Sequence, residues 1–233
     1  MSERGVSGGS SPRAGAEPLA RSPIAPAPPV TVVAGWEVSG RRADADPATV
    51  GVTITDCTPL TKVQVRAPFA GGAAEAMGVP FGRAARNPAG MLVAGSGPGE
   101  WLVLAASGQG QELTASLAGL AARHPGELVT AVDLTHGRAL IRLNGASGAD
   151  LLAKVCGIDL SDDMAPDGAA FRSSVAALAT DVIRADLAAV ETGRTRSYLL
   201  HCERSSGQYL FDTLLRSGAE FGIQIDGFVP PGI

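Results

Sequence analysis

Between residues 48 and 219 one order of elements recurs: strand, strand, helix, strand, strand, helix. The first copy spans 48–125. "TVGVTITDC" (49–57) and "TKVQVRAP" (61–68) carry the β-branched alternation of strands, and "AGGAAEAMG" (70–78) reads as a helix stopped at Gly78. "GMLVAGSG" (90–97) and "EWLVLAA" (100–106) form a hairpin in which Pro98 suits position i+1 of a type II turn and Gly99 its left-handed i+2. "GQELTASLAGLAARH" (110–124) is a helix with Leu113, Leu117 and Leu120 on one face.

The second copy spans 127–219. Strands "LVTAVDLT" (128–135) and "RALIRLNG" (138–145) flank a turn at Thr135-His136-Gly137. Ser147 and Asp150 have the spacing of a capping box, and Gly157 is a natural left-handed stop for the helix between. "AFRSSVAALATDVIRAD" (170–186) covers one or two strands, and "RSYLLHCER" (196–204) a further one. A helix capped by Ser206 and stopped by Gly218 closes the core with Leu210, Phe211, Leu214 and Leu215. A half of this size buries one sheet face poorly alone. The expected fold is therefore α+β, with duplicated β-β-α-β-β-α halves packed around a pseudo-twofold and helices outside.

Residues 1–47 are rich in Gly, Ser, Pro and Ala, a composition that does not offset its ordering entropy, and are expected to be a disordered tail. "PVTVVAGWEV" (29–38) is the exception, able to dock as a short strand with Trp36 as the buried group. Residues 220–233 fall outside the repeat and read as a C-terminal tail. Apolar residues make up 45% and charged residues 18%, the balance of a folded chain. A net charge of −4 and 4% aromatics argue against nucleic acid or an anionic membrane as partner. No apolar run approaches the roughly 20 residues of a spanning helix, and the N-terminus lacks a signal-type apolar region, so a cytoplasmic location is expected. Cys57, Cys156 and Cys202 lack disulfide or zinc spacing and read as buried thiols.

No catalytic constellation stands out. "GSGPGEW" (95–101) fails as a phosphate loop: Glu100 would repel an anion, and a strand follows rather than a helix. His136 is the one histidine with an aspartate, Asp133, three residues before it, yet residues so spaced across a turn point apart, and Asp56 and Asp133 read as turn formers accepting backbone amides. Asp162, Asp163 and Asp167 lack calcium-loop spacing. Arg138 and Arg142, like Arg172 and Arg184, lie on an exposed sheet face or meet an acidic partner. No catalytic, cofactor-binding or metal-binding residue is assigned; Trp36, Trp101, His136, Arg138 and Arg142 are the candidate partner contacts.

The hairpin "GPGEWLVLA" (97–105), the run "VDLTHGRALIRLNGASGADLLAKVCGIDL" (132–160) and "SSGQYLFDTLLRSG" (205–218) together resemble the gamma subunit of heterotetrameric sarcosine oxidase. That family is related in fold to the aminomethyltransferase (T-protein) of glycine cleavage. The resemblance implies a subunit without its own cofactor or catalytic site. FAD, FMN, NAD and tetrahydrofolate would sit on alpha and beta partners, with a delta subunit completing the assembly. Such a complex demethylates sarcosine to glycine and passes the one-carbon unit to tetrahydrofolate. Two other readings stay open: a folate-dependent aminomethyltransferase-like enzyme domain, and the same subunit in an oxidase or dehydrogenase for another N-methyl amine.

Overall fold

The computed structural model describes residues 19–40, 50–189 and 193–230. An antiparallel sheet and a mixed sheet stack face to face with helices outside. The five-stranded sheet runs β6 (Ala84–Arg86), β7 (Leu92–Gly97), β8 (Glu100–Ala105), β5 (Thr61–Arg66), β9 (Thr130–Asp133). The six-stranded sheet runs β11 (Ala170–Val175), β12 (Leu178–Arg184), β15 (Ser197–Glu203), β10 (Arg138–Asn144), β4 (Val52–Asp56), β16 (Ile223–Asp226). Helices α1 (Gly72–Met77) and α2 (Gly110–Arg123) cover the first sheet; α3 (Gly148–Ala153) and α4 (Gly207–Ser217) cover the second.

Strand alternation sorts the side chains into three cores. Val63 and Val65 of β5 and Trp101 and Val103 of β8 pack under Leu113 and Leu120 of α2. Ile141 and Leu143 of β10 and Leu200 of β15 pack under α3 and α4 through Leu151, Leu152, Leu210 and Leu214. The alternate residues Leu102, Leu104, Leu140, Ile183 and Leu199 meet between the sheets. The first strand of each expected half sits in the other half's sheet: β4 pairs with β10, and β9 with β5.

Several expectations need correction. Within the region read as a disordered tail, residues 19–40 form a three-stranded sheet of β1 (Ala20–Arg21), β2 (Val30–Val33) and β3 (Trp36–Ser39). The anchor is apolar burial: Ile24, Trp36 and Val38 each leave only a few per cent of their surface in solvent. Residues 1–18 and 41–47 of that region lie outside the described residues. The C-terminal tail is likewise built in, since β16 pairs in parallel with β4; residues 231–233 are not described. Ser147 and Ser206 stand at helix N-caps without side-chain capping bonds, and α3 ends at Lys154 before reaching Gly157. Gly78 is the left-handed stop of α1 at φ 68°, and Gly99 holds the hairpin turn at φ 69°, as their positions predict. Residues 170–186 form two strands, joined through Ala176 and Ala177. A small hairpin of β13 (Leu187–Ala189) and β14 (Gly193–Thr195) precedes β15.

Candidate functional site: the polar seam between the sheets

Charged residues thread the apolar layer between the two sheets. Arg172, Asp181 and His201 are register neighbours on β11, β12 and β15, so their side chains share the face turned toward the five-stranded sheet. Arg172 Nε donates to Asp181 Oδ1 at 2.7 Å, and the Asp181 Oδ2 to His201 Nδ1 distance is 2.9 Å. Arg172 also reaches across the gap to Glu100 of β8, Nη2 to Oε1 at 2.7 Å, and Arg66 of β5 holds the other Glu100 oxygen at 3.0 Å. The five groups form one chain from exposed Arg66 to His201, which is 4% exposed.

Burial pushes the His201 pKa below the usual histidine range against the pull of Asp181. The imidazole is thus neutral at neutral pH, with Nδ1–H donating to Asp181, and its Nε2 is buried without a hydrogen-bond partner. Burial would raise the Asp181 carboxyl, but bonds from His201 and Arg172 outweigh it and hold the acid below its usual range. Glu100 follows the same logic with Arg172 and Arg66. An aspartate that orients a histidine is the geometry of a general base. Here the basic nitrogen lies within the packed layer, and the chain of charges clamps one sheet to the other.

Lys62 is the second polar feature of this layer. Its side chain is fully buried, and Nζ donates to the carbonyls of Thr58 at 2.6 Å and Leu60 at 2.8 Å. Both belong to the turn between β4 and β5, where the chain crosses from one sheet to the other. Burial lowers the Lys62 pKa to about 7, opposed by the charge of Asp56. Asp56 is itself buried and its pKa raised by burial; its Oδ1 accepts the Thr58 N–H at 2.9 Å.

The residues singled out from sequence scatter around this seam. His136 stacks on Trp36, ring centroids 4.8 Å apart and planes 9° from parallel. Asp133 turns away from it and accepts the Thr135 N–H at 2.8 Å, the turn-forming role its position predicts. These residues, with Thr61, Gly110 and Gln111, line an open cavity of about 410 Å³. Two candidate contacts are corrected: Trp36 and Trp101 are each 4% exposed, and Trp101 Nε1 donates to the Val79 carbonyl at 2.7 Å. Both rings are consumed by the chain's own packing. Arg138 pairs with Glu203. Arg142 is a correction as well: it is 6% exposed rather than on an open sheet face, bonding Ser197 Oγ at 3.0 Å and lining a 230 Å³ pocket beside Cys57 and Asp226. Arg184 is buried against Asp186 and Asp162, and Asp162 also binds Arg196. Asp167 takes Arg194. The three cysteines are free and buried. Among the described residues no group of three or more His, Cys, Asp or Glu could hold a metal ion, and no helix is long and apolar enough to cross a membrane.

No protein-family model and no curated protein sequence matches the chain. Solved structures do. A chain of heterotetrameric sarcosine oxidase from Corynebacterium sp. U-96, in complex with pyrrole 2-carboxylate, matches with a TM-score of 0.60 and 23% identity over 73% of this chain and 85% of that one. The fold is sarcosine-oxidase-like. Aminomethyltransferase T of the glycine cleavage system from Bartonella henselae shares it, with a TM-score of 0.58 and 16% identity over 85% of this chain. This chain spans 55% of the length of that aminomethyltransferase.

Lys62, Asp181 and His201 escaped the sequence reading. "TKVQVR" alternates as a strand with one polar face, and nothing local tells a solvated face from one covered by a second sheet.

Proposed function

We propose that this chain is a non-catalytic gamma-type subunit of a sarcosine-oxidase-like complex, bracing larger subunits that carry flavin, NAD and tetrahydrofolate. The observation that carries the reading is the shared fold over 85% of a sarcosine oxidase chain. The seam supports it: its most oriented pair, Asp181 and His201, lies within one sheet and holds Arg172, whose bond to Glu100 joins that sheet to the other. We also read the body as an internal duplication. The strand orders β6-β7-β8-β5-β9 and β11-β12-β15-β10-β4 run in parallel, including the exchanged outer strand. The amine oxidised is sarcosine or another N-methyl amine.

Co-expression with the flavin-bearing large subunits of a sarcosine oxidase tests the proposal. The expected outcome is a yellow, active assembly that retains this chain through purification, while the chain alone binds no flavin and turns over no sarcosine. A second reading, folate-dependent aminomethyl transfer, draws on the cavity beside Asp133 and His136. It predicts stoichiometric tetrahydrofolate binding by the isolated chain, lost in Asp133→Ala; calorimetry that finds such binding replaces the first reading with the second.

A further inference from the structure

The six-stranded sheet carries a short row of polar side chains at one end of its inner face. Asp226 of β16, Thr55 of β4 and Arg142 of β10 are register partners on adjacent strands, so their side chains share that face. Leu199 of β15 continues the row beyond Arg142 and belongs to the core between the sheets, which identifies the face as the one turned toward the five-stranded sheet. Over the row lies the 230 Å³ pocket, and none of its lining residues comes from the five-stranded sheet. Its walls are Cys57 just past β4, Leu187 of β13, and Gly227, Phe228 and Val229 after β16.

Acid and base stand at opposite ends of this row, two strand spacings or about 10 Å apart at Cα, with a hydroxyl between them. Arg142 is 6% exposed, and its Nη1 donates to Ser197 Oγ at 3.0 Å, which fixes one arm of the guanidinium fork. Asp226 is half-buried, and its Oδ1 accepts the Gly227 N–H at 2.8 Å, one of several acceptor positions on a carboxylate. The rest of the lining is apolar, from Leu187, Phe228, Val229 and the buried Cys57.

These properties restrict the occupant. The volume lies below the roughly 300–1,000 Å³ of pockets that hold drug-sized ligands, so a small metabolite fits. A simple anion on Arg142 would face Asp226, and a simple cation on Asp226 would face Arg142. A molecule that carries both charges satisfies both ends, and the apolar walls offer nothing to a further polar group.

We propose that this pocket binds a small zwitterionic amino acid. Its carboxylate sits on the Arg142 guanidinium, whose planar fork suits that group, and its ammonium on the Asp226 carboxylate. The Thr55 hydroxyl, midway along the row, donates to the ligand carboxylate. A methyl or short apolar side chain of the ligand packs against Leu187, Phe228 and Val229. The site is built wholly from this chain and is independent of the subunit role proposed above.

Isothermal titration calorimetry of the purified full chain at pH 7 tests it, with sarcosine, alanine and proline as probes. At least one of the three is expected to bind at one per chain with a Kd of about 1 mM or tighter. Acetate and dimethylamine each carry only one of the two charges and are expected to bind about tenfold or more weakly than that probe. Asp226→Asn keeps the shape and an acceptor for the Gly227 N–H. It is expected to weaken the zwitterion about tenfold or more while leaving the thermal midpoint near that of the unchanged chain. Val229 is 56% exposed, so Val229→Trp can fill the pocket without disturbing the core and is expected to abolish binding. No saturable heat from any of the three probes up to about 50 mM overturns the proposal. So does acetate or dimethylamine binding as tightly as the zwitterions, or binding that is unchanged by Asp226→Asn or Val229→Trp.

Discussion

A lysine with no access to solvent is the most demanding residue in this molecule. Lys62 sits where the chain passes from one sheet to the other, and its two carbonyl partners come from that same crossing turn. Its pKa falls to about 7, against 10.5 for a free lysine, because burial penalises the ammonium. The folded chain therefore binds fewer protons than the unfolded chain between pH 7 and about 10.5, and its stability rises with pH across that window. The cost is fully present below pH 7. His201 acts in the same direction lower down: its lowered pKa means that stability is lost as pH falls through about 6.5, when the unfolded histidine charges first. Urea unfolding at pH 7.0, 8.5 and 10 should show the chain gaining on the order of 1 kcal/mol per pH unit over the upper window. Lys62→Met should flatten that gain. The variant leaves the Thr58 and Leu60 carbonyls without a donor, at about 1–3 kcal/mol each, so the slope rather than the absolute stability is the diagnostic. A slope unchanged by Lys62→Met would mean that another group titrates there.

At the scale of elements, what was legible follows from what is local. The hairpin at Gly97-Pro98-Gly99 and the helices at 70–78 and 110–124 declare themselves through turn chemistry and periodicity, which depend only on neighbours in sequence. Capping at Ser147 and the stop at Gly157 failed because the helix there is a short piece whose end is set by packing of Leu151 and Leu152 against the sheet. The β11–β12 turn was hidden for the opposite reason: its residues are the wrong ones. Ala176 and Ala177 both adopt positive φ, 51° and 65°, the conformation of a type I′ hairpin turn usually filled by Asn-Gly. An alanine pair held there is strained, and Val175 paired with Leu178 fixes the register that imposes it. Ala176→Asn/Ala177→Gly is expected to stabilise the chain by about 1 kcal/mol, visible as a rise of a few degrees in the thermal midpoint. A lowered midpoint would show that the alanine methyl groups contribute packing that outweighs the strain.

For the whole molecule, the sequence suggested one order of two strands and a helix repeated in succession, whereas among the described residues three strands separate α1 from α2 and five separate α3 from α4. Reading two halves in succession suggests two units that fold and then dock. The sheets contradict that order, because β4 completes the sheet built mostly from the second half and β9 the sheet built from the first. Each half thus lacks one strand of its own sheet and carries one that belongs to the other. The seam adds to this coupling: Arg172 of one sheet is bound to Glu100 of the other, and Leu140 and Leu199 pack on Leu102 and Leu104 across the gap. Neither half should therefore be stable alone, however regular its pattern. A chain cut between Arg123 and Glu127, at the exposed turn that separates α2 from β9, gives the test. Fragments 1–125 and 126–233, purified apart, should each show weak amide protection in hydrogen exchange. Mixed in equal amounts they should recover the sheet signal in circular dichroism and unfold together in one transition. A fragment that folds cooperatively by itself would show that the exchanged strands add to a finished half rather than complete it.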